Sequence, residues 1–404
     1  MKPLKSADPE TILEQARVLS RKLKEGAAER DARGGTPKTE RDLIRASGLL
    51  NLMIPQEFGG LGAGWLTTVR VQREIGKADG SLAHVFGYHQ GEVILPHLLG
   101  TRQQKEDFYR QSAANNWFCG NASSEHVPRL IDWKTSVRPD GNGYRLNGVK
   151  HFCSGAKDSD RLFVFAGLEG EENLFQGLCV AVIPSDRAGV TINDDWDNMG
   201  QRQTDSGSVV FDNVGIEPDE MLGAPGSFFA TTFSSLWPMT AQLVIGNVYL
   251  GIALGAFETA KSYTRSTTRA WPASGVEKAS QDAFIIQKYG NMWIDLSAAI
   301  LATDHAAALL DKAWAKELAV TPEERAEVSI AVSIAKALNT RVSLDVTSKM
   351  FEVMGARATA AKGKYDRFWR NARTHTLHDP VEYKISEVGN WILNDQPPMP
   401  TFTS

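Results

Sequence analysis

Asp140-Gly141-Asn142-Gly143, set between the apolar runs 133–137 and 144–147, is the stretch that decides the fold. Two glycines and an asparagine tolerate the positive φ that a short hairpin loop demands, so the runs read as strands joined by a tight turn. The same texture continues outward from that turn. Short apolar runs at 117–122, 162–166, 178–183 and 208–211 alternate with turn residues. Nothing between 116 and 225 has room for a helix of ordinary length. A parallel sheet needs crossovers of a dozen or more residues, usually helical. The pattern therefore predicts an antiparallel barrel or sandwich.

Helical period brackets this unit on both sides. From about 8 to 115 it is broken by Gly34-Gly35-Thr36-Pro37 and by Phe58-Gly59-Gly60-Leu61-Gly62. Near the start, Leu13, Ala16, Leu19 and Leu23 recur at helical spacing, with no apolar leader core or cleavage site, so the expected compartment is the cytoplasm. Beyond 226, Ile285, Tyr289, Met292, Leu296 and Ile300 fall on one face. Thr321-Pro322-Glu323-Glu324 supplies an N-cap, a proline at the first helical position and a capping-box glutamate. The helix it opens is predicted to run to Met354, before Gly355. The most apolar run, 243–257, holds Asn247 and three glycines, and reads as a buried bundle helix too short to span a bilayer. The expectation is an α+β multidomain chain: helices over 1–115, a β-unit over 116–225 and a helical bundle over 226–404.

Composition narrows the functional classes. A formal charge of −4 over 404 residues leaves no basic footprint for nucleic acid or an anionic membrane. Cys119, Cys153 and Cys179 are too few and too far apart for a disulfide framework or a four-thiolate zinc site. No G-x-G-x-x-G follows a strand, and no P-loop, G-x-S-x-G or H-E-x-x-H occurs. Any redox chemistry here is expected without a nicotinamide domain in the chain.

Four polar clusters remain. They are Phe118-Cys119-Gly120-Asn121-Ala122-Ser123-Ser124, Asn147-Gly148-Val149-Lys150-His151-Phe152-Cys153-Ser154-Gly155, the segment 196–207 and the segment 370–380. Asparagine and serine at strand ends are more often turn formers than ligands, and Phe152 alone reads as core. His375 and His378 beside Asp379 have the residue types of a metal site. No third ligand has matching spacing and Pro380 stops a regular helix, so no metal is expected. His84, His97, His126 and His305 are assigned no role.

Taken together, the loop 58–62, the strand 144–150, the segment 199–207 and Arg370-Asn371-Ala372-Arg373 resemble the acyl-CoA dehydrogenase architecture along nearly the whole chain. That resemblance implies an N-terminal helical domain, a middle antiparallel β-barrel domain and a C-terminal four-helix bundle. The chemical positions depart from the dehydrogenases. Their C-terminal-loop glutamate, the base for the substrate α-proton, is matched by His378-Asp379-Pro380. An aspartate is one methylene shorter, and a base misplaced by about 1 Å can cost roughly a hundredfold in rate.

Phe152-Cys153-Ser154-Gly155, the stretch 374–380 and Gly87-Tyr88-His89 are instead similar to the two-component reduced-flavin monooxygenases typified by dibenzothiophene monooxygenase. The resemblance implies reduced FMN (FMNH2) delivered by a separate NAD(P)H:flavin reductase, a flavin C4a-(hydro)peroxide, and transfer of one oxygen atom to a small organic substrate, most naturally at sulfur. It places Ser154 at the flavin N5 region, Phe152 against the isoalloxazine and His378 near C4a. Asn121 and nearby backbone amides would polarise the pyrimidine side or the peroxide, while His89 would either face the same cavity or pack between helices. Cys119, Gly355 and His375 complete the implied cofactor contacts, and Arg269 matches an arginine on the flavin phosphate across a subunit boundary, in a homotetramer. The alternatives are an FAD-dependent acyl-CoA dehydrogenase, a monooxygenase of this fold acting on nitrogen or an aromatic ring, and a non-enzymatic scaffold.

Overall fold

The computed structural model describes residue 4 and residues 8–127 and 132–404. The first residues of the expected N-terminal unit therefore lie outside the described ones. Seven helices come first: α1 (Pro9–Lys24), α2 (Ala27–Arg33), α3 (Lys38–Ser47), α4 (Trp65–Ala78), α5 (Gly80–Val93), α6 (Leu95–Leu99) and α7 (Arg102–Asn115). The leucine stripe anticipated in α1 is its buried face, with Ala16, Leu19 and Leu23 inside and Leu13 packed at the margin. Asp79 alone separates α4 from α5. Its Oδ1 accepts from the Ser81 and Leu82 amides and caps α5, fixing the turn that aims that helix at the centre of the molecule.

Strands β1 (Cys119–Ala122), β2 (Ser136–Asp140), β3 (Gly143–Lys150) and β4 (Arg161–Leu168) follow. A short helix, α8 (Leu174–Gly177), precedes β5 (Leu178–Pro184), β6 (Val190–Ile192) and β7 (Val209–Ile216). The hairpin is present as read: Asp140 pairs with Gly143, and Gly141 takes φ 60°. Most pairings are antiparallel, but β1 and β2 both run parallel to β4. The chain leaves β1, forms the β2–β3 hairpin, and returns along the same direction without an α-helix among the described residues. Non-local pairing of this kind has no sequence period. The order β1-β4-β2-β3-β7-β6, with β5 on the other side of β4, leaves the sheet open among the described residues.

Helices α9 (Trp237–Ser266), α10 (Ala283–Trp314), α11 (Pro322–Met354), α12 (Asp366–His375) and α13 (Val381–Asn394) complete the chain. α9 and α10 are long and apolar enough to cross a membrane by length and composition. In α9 the stretch 243–257 is buried throughout, against α4, α5 and α11. Asn247 is tolerated there because its amide is satisfied: Nδ2 donates to Val69 O (2.7 Å) and Gln72 Oε1 (2.8 Å), and Oδ1 accepts from Arg73 (3.1 Å). α4 and α9 cross at Gly76 and Gly251, where a Cβ on either would lie 3.0 Å from the other's Cα.

α11 spans the predicted limits, opened by the Thr321–Glu324 capping box. Thr321→Ala is expected to cost about 1 kcal/mol, read as a lower urea midpoint with unchanged m-value.

Candidate active site

One helix face builds half of the site. His84, Tyr88 and Glu92 recur every fourth residue on α5, so they stack along one side. That side meets β1, the loop 152–155, and the chain leaving α12. The loop is held by its backbone: Cys153 N donates to Gly207 O (3.0 Å), and Gly155 N to Thr204 O (2.7 Å). Phe152 takes φ 55°, unusual for a residue with a Cβ, and its ring stands half exposed. The segments 199–207 and 370–378 are pinned together. Arg370 donates to Met199 O (2.6 Å), and Gln201 N donates to Asn371 Oδ1 (2.7 Å). The four polar clusters of the sequence thus converge.

Between them lies a cavity of about 630 Å³ walled by Phe152, Ser154, Asn121, Trp196, His375 and His378, with His84 and Tyr88 behind. That size falls in the ~300–1,000 Å³ range of cofactor pockets. Several wall groups have polar atoms that are buried and without a partner among the described residues: both His375 nitrogens, His84 Nδ1, Gln201 Oε1 and Thr374 Oγ1. Buried polar atoms are rarely left so. A flat polar ligand beside Phe152 would meet them, and a flavin fits both the shape and the donor–acceptor set.

Two hydrogen-bonded chains cross the site. In the first, His84 Nε2, Ser154 Oγ, Ser206 Oγ and Thr204 Oγ1 are linked at 2.8, 2.8 and 2.7 Å, and Thr204 donates to Gln201 O (3.0 Å). With the Thr204 proton committed to that carbonyl, each hydroxyl accepts from the one before, so Ser154 accepts from His84 Nε2–H. His84 also stacks on Tyr88 and His375, with ring centroids 4.6 and 4.3 Å away. In the second chain, Lys336 Nζ pairs with Asp379 Oδ1 (2.5 Å), and Asp379 holds His378 Nδ1 (2.7 Å). His378 Nε2 lies 3.2 Å from the Tyr88 hydroxyl. Burial alone would raise the Asp379 carboxyl, but the His378 hydrogen bond and the Lys336 charge hold it well below the usual range. An aspartate so engaged is not free to act as an α-proton base, which removes the main chemical support for the dehydrogenase alternative.

Of the expected site residues, Asn121, Phe152, Ser154, His375 and His378 share the cavity wall. His89 does not. It follows Tyr88, about 100° around the helix, and spans two backbones instead: Nδ1 accepts from Cys119 N (3.1 Å) and Nε2 donates to Leu50 O (2.9 Å). The expectation that it faces the cavity is corrected to a packing role. Cys119 is also corrected, because its thiol is buried in the core with Phe163 and Phe165. Arg269 and Gly355 lie beside one another at the bundle end, joined through Thr268, whose hydroxyl donates to Met354 O (3.0 Å), and neither reaches this cavity within one chain. His84, Tyr88 and Glu92 were missed as a set. Their every-fourth spacing was the available signal.

Burial keeps His84, His89 and His375 neutral. It pushes His84 down to about 3 and His89 to about 4, and holds His375 well below the usual imidazole range. A histidine whose folded pKa lies below its unfolded value gives stability that is complete above about 6.5 and is lost as pH falls toward the folded value. His84 and His89 are each expected to withdraw about 1 kcal/mol on going from pH 7.5 to 5.5, read from urea unfolding at the two pH values.

Comparison with known proteins gives the family. The chain matches the acyl-CoA dehydrogenase N-terminal domain over residues 6–116, the middle domain over 128–214 and the C-terminal domain over 243–383. Dibenzothiophene monooxygenase of Rhodococcus qingshengii is 49% identical, over 100% of this chain and 98% of its own length. The chain belongs to the dibenzothiophene monooxygenase group of the acyl-CoA dehydrogenase family. A probable FMNH2-dependent monooxygenase, SfnC of Pseudomonas putida, is 44% identical over 98% of each chain. The crystal structure of FMN-bound TdsC from Paenibacillus sp. A11-2 superposes with a TM-score of 0.93 at 45% identity, covering 98% of this chain and 100% of that one.

Proposed function

We propose that this chain is the oxygenase component of a two-component flavin monooxygenase. It takes FMNH2 from a separate NAD(P)H:flavin reductase, and O2, and adds one oxygen atom to a small organosulfur compound. The observation that carries this reading is the cavity itself, with unpartnered polar atoms beside Phe152 and His378 held by Asp379 and Lys336. The FMN-bound and FMNH2-dependent relatives support the cofactor, and the dibenzothiophene monooxygenases support sulfur as acceptor.

Bound reduced flavin supplies the electrons that activate O2 and passes one oxygen atom to the substrate. The chain's own groups do the rest. Phe152 covers one side of the cavity, and Ser154, fixed by His84 and Ser206, presents a hydroxyl to the ring edge. Asp379 fixes the His378 tautomer with Nδ1 protonated, leaving Nε2 to take up or return a proton near Tyr88. Burial raises the Tyr88 hydroxyl above its ordinary range, so it stays a donor. Asn121, whose Oδ1 accepts from Ser123 N (3.2 Å), is held at the wall.

The homotetramer belongs to the same proposal, with Arg269 and Gly355 serving a neighbouring copy's flavin phosphate. Phe284, Ile294 and Leu301 of α10 and Ile392 and Leu393 of α13 are largely exposed, and apolar surface of that extent favours burial against another copy. The working compartment is the cytoplasm. When reduced FMN–protein prepared without air is mixed with O2, a transient absorbance distinct from reduced and oxidised flavin is expected. Reoxidation with the time course of free flavin would contradict the oxygenase assignment.

A further inference from the structure

The flavin cavity shares Tyr88, Asn121, Ser123, Ser124 and His378 with a second chamber of about 200 Å³. The rings of Trp133, Phe165, Trp237 and Phe402 form much of its wall, a surface suited to an apolar body. Its floor is the backbone of α5 at Gly91, where an added Cβ would meet nothing within 4 Å. Trp237 Nε1 donates to the Gly91 carbonyl (3.1 Å), so that backbone group is already satisfied. Among the described residues no lysine or arginine lines the chamber, so nothing there balances an anionic ligand.

Among the described residues, Glu92 is the one carboxylic acid that lines the chamber. It is 1% exposed, Asn121 Nδ2 donates to its Oε1 at 2.7 Å, and Oε2 is buried with no partner among the described residues. A carboxyl oxygen left so is costly unless a ligand meets it.

We propose that this chamber takes the substrate and that the Glu92 carboxyl hydrogen-bonds an acceptor oxygen on it, so that the site selects neutral sulfoxides over the parent sulfides. The inference rests on the organosulfur reading above. Burial raises Glu92 to about 8, so at neutral pH the carboxyl keeps its proton, with Oε1 accepting from Asn121 and Oε2–H free to donate. A sulfoxide oxygen is a strong acceptor, and a sulfide offers none of comparable strength. Turnover of the sulfoxide forms one S–O bond from the sulfur lone pair and breaks the O–O bond of O2. The second oxygen leaves as water, and the reduced flavin supplies two electrons and two protons.

The titratable groups around Glu92 are Tyr88 on the same helix, Cys119 on β1 and His378 across the chamber. Burial raises both the Tyr88 hydroxyl and the Cys119 thiol, so neither is charged near neutrality. His378 is unaltered in Glu92→Gln, and that variant isolates the Glu92 contribution.

The test titrates the full chain, loaded with oxidised FMN and without reductant, with methyl phenyl sulfide and methyl phenyl sulfoxide by calorimetry. The quantity read is the ratio of sulfide to sulfoxide Kd. It is expected to fall about three- to tenfold between pH 6.5 and 9.5, as the carboxyl loses the proton it donates. Glu92→Leu is expected to show the low ratio at both pH values. Glu92→Gln, whose amide still donates, is expected to keep the high ratio at both. A ratio in Glu92→Leu equal to that of the unmodified chain, the same pH dependence in Glu92→Gln, or binding of neither probe overturns the inference. A chain that oxygenates the sulfide but shows any of these results overturns this inference alone. A chain that oxygenates neither probe contradicts the function proposed above.

Discussion

Replacing His378 by phenylalanine is expected to lower the rate of substrate oxygenation about 10²- to 10⁴-fold, the range contributed by a positioned acid–base group. The ring is fixed from both ends, Nδ1 by Asp379 at 2.7 Å and Nε2 near the Tyr88 hydroxyl at 3.2 Å. Phenylalanine keeps the planar ring and removes both nitrogens. FMNH2 should still be consumed in the variant, with the oxygen appearing as hydrogen peroxide rather than in product. Asp379→Asn should lose part of the same rate, because the amide no longer dictates which imidazole nitrogen carries the proton. Product yield per FMNH2 consumed, measured with both variants, separates this account from a packing role. A packing role would leave the yield unchanged.

The second large effect is on stability. Arg41 of α3 is fully buried, and its guanidinium binds the two loops that shape the cavity. It donates to Gly155 O (2.9 Å) and Asp158 O (3.0 Å), pairs with Asp158 (3.1 Å) and Asp205 (3.3 Å), and lies 4.2 Å from the Phe118 ring. Burial pulls Arg41 down to about 10, with the two aspartates opposing that shift, so it remains charged at neutral pH. Arg41→Met leaves the buried Asp205 without its ion-pair partner and the Gly155 carbonyl without its donor, while the Asp158 carbonyl keeps the Arg45 guanidinium. The expected loss is about 3–5 kcal/mol. Lys38→Met, on the same helix but with an exposed ion pair to Asp42, should cost no more than about 1 kcal/mol. Urea unfolding of the two variants gives the comparison. FMN affinity should fall only in Arg41→Met, because Gly155 belongs to the loop that carries Phe152 and Ser154.

Much of this was legible in the sequence wherever the signal is local. Hydrophobic period placed the helical and β regions, Gly141 marked the hairpin, and Thr321 with Glu324 marked the start of α11. Strand β6 escaped because three residues carry no period, and the parallel β1–β4 pairing escaped because no local pattern encodes it. The site was read through clusters contiguous in sequence, and Asn121, Phe152, Ser154, His375 and His378 do meet at one cavity. The same habit put His89 in place of His84. Adjacent residues on a helix point different ways, whereas every fourth residue shares a face. Glu92 went unnoticed for a related reason: a glutamate in a helix reads as solvated surface until the fold closes aromatic rings around it. Arg269 and Gly355 lie together at the bundle end, away from this cavity within one chain, a placement that no local sequence pattern encodes.

The central claim is that oxygen from O2 enters the substrate at this cavity. The most direct measurement supplies the purified chain with FMN, a generic flavin reductase, NADH and methyl phenyl sulfide under ¹⁸O2, and weighs the products by mass spectrometry. The account predicts sulfoxide and sulfone carrying one labelled oxygen for each turnover, with little free peroxide. Full conversion of the FMNH2 to labelled hydrogen peroxide, with the sulfide recovered unchanged across a panel of organosulfur compounds, would contradict it.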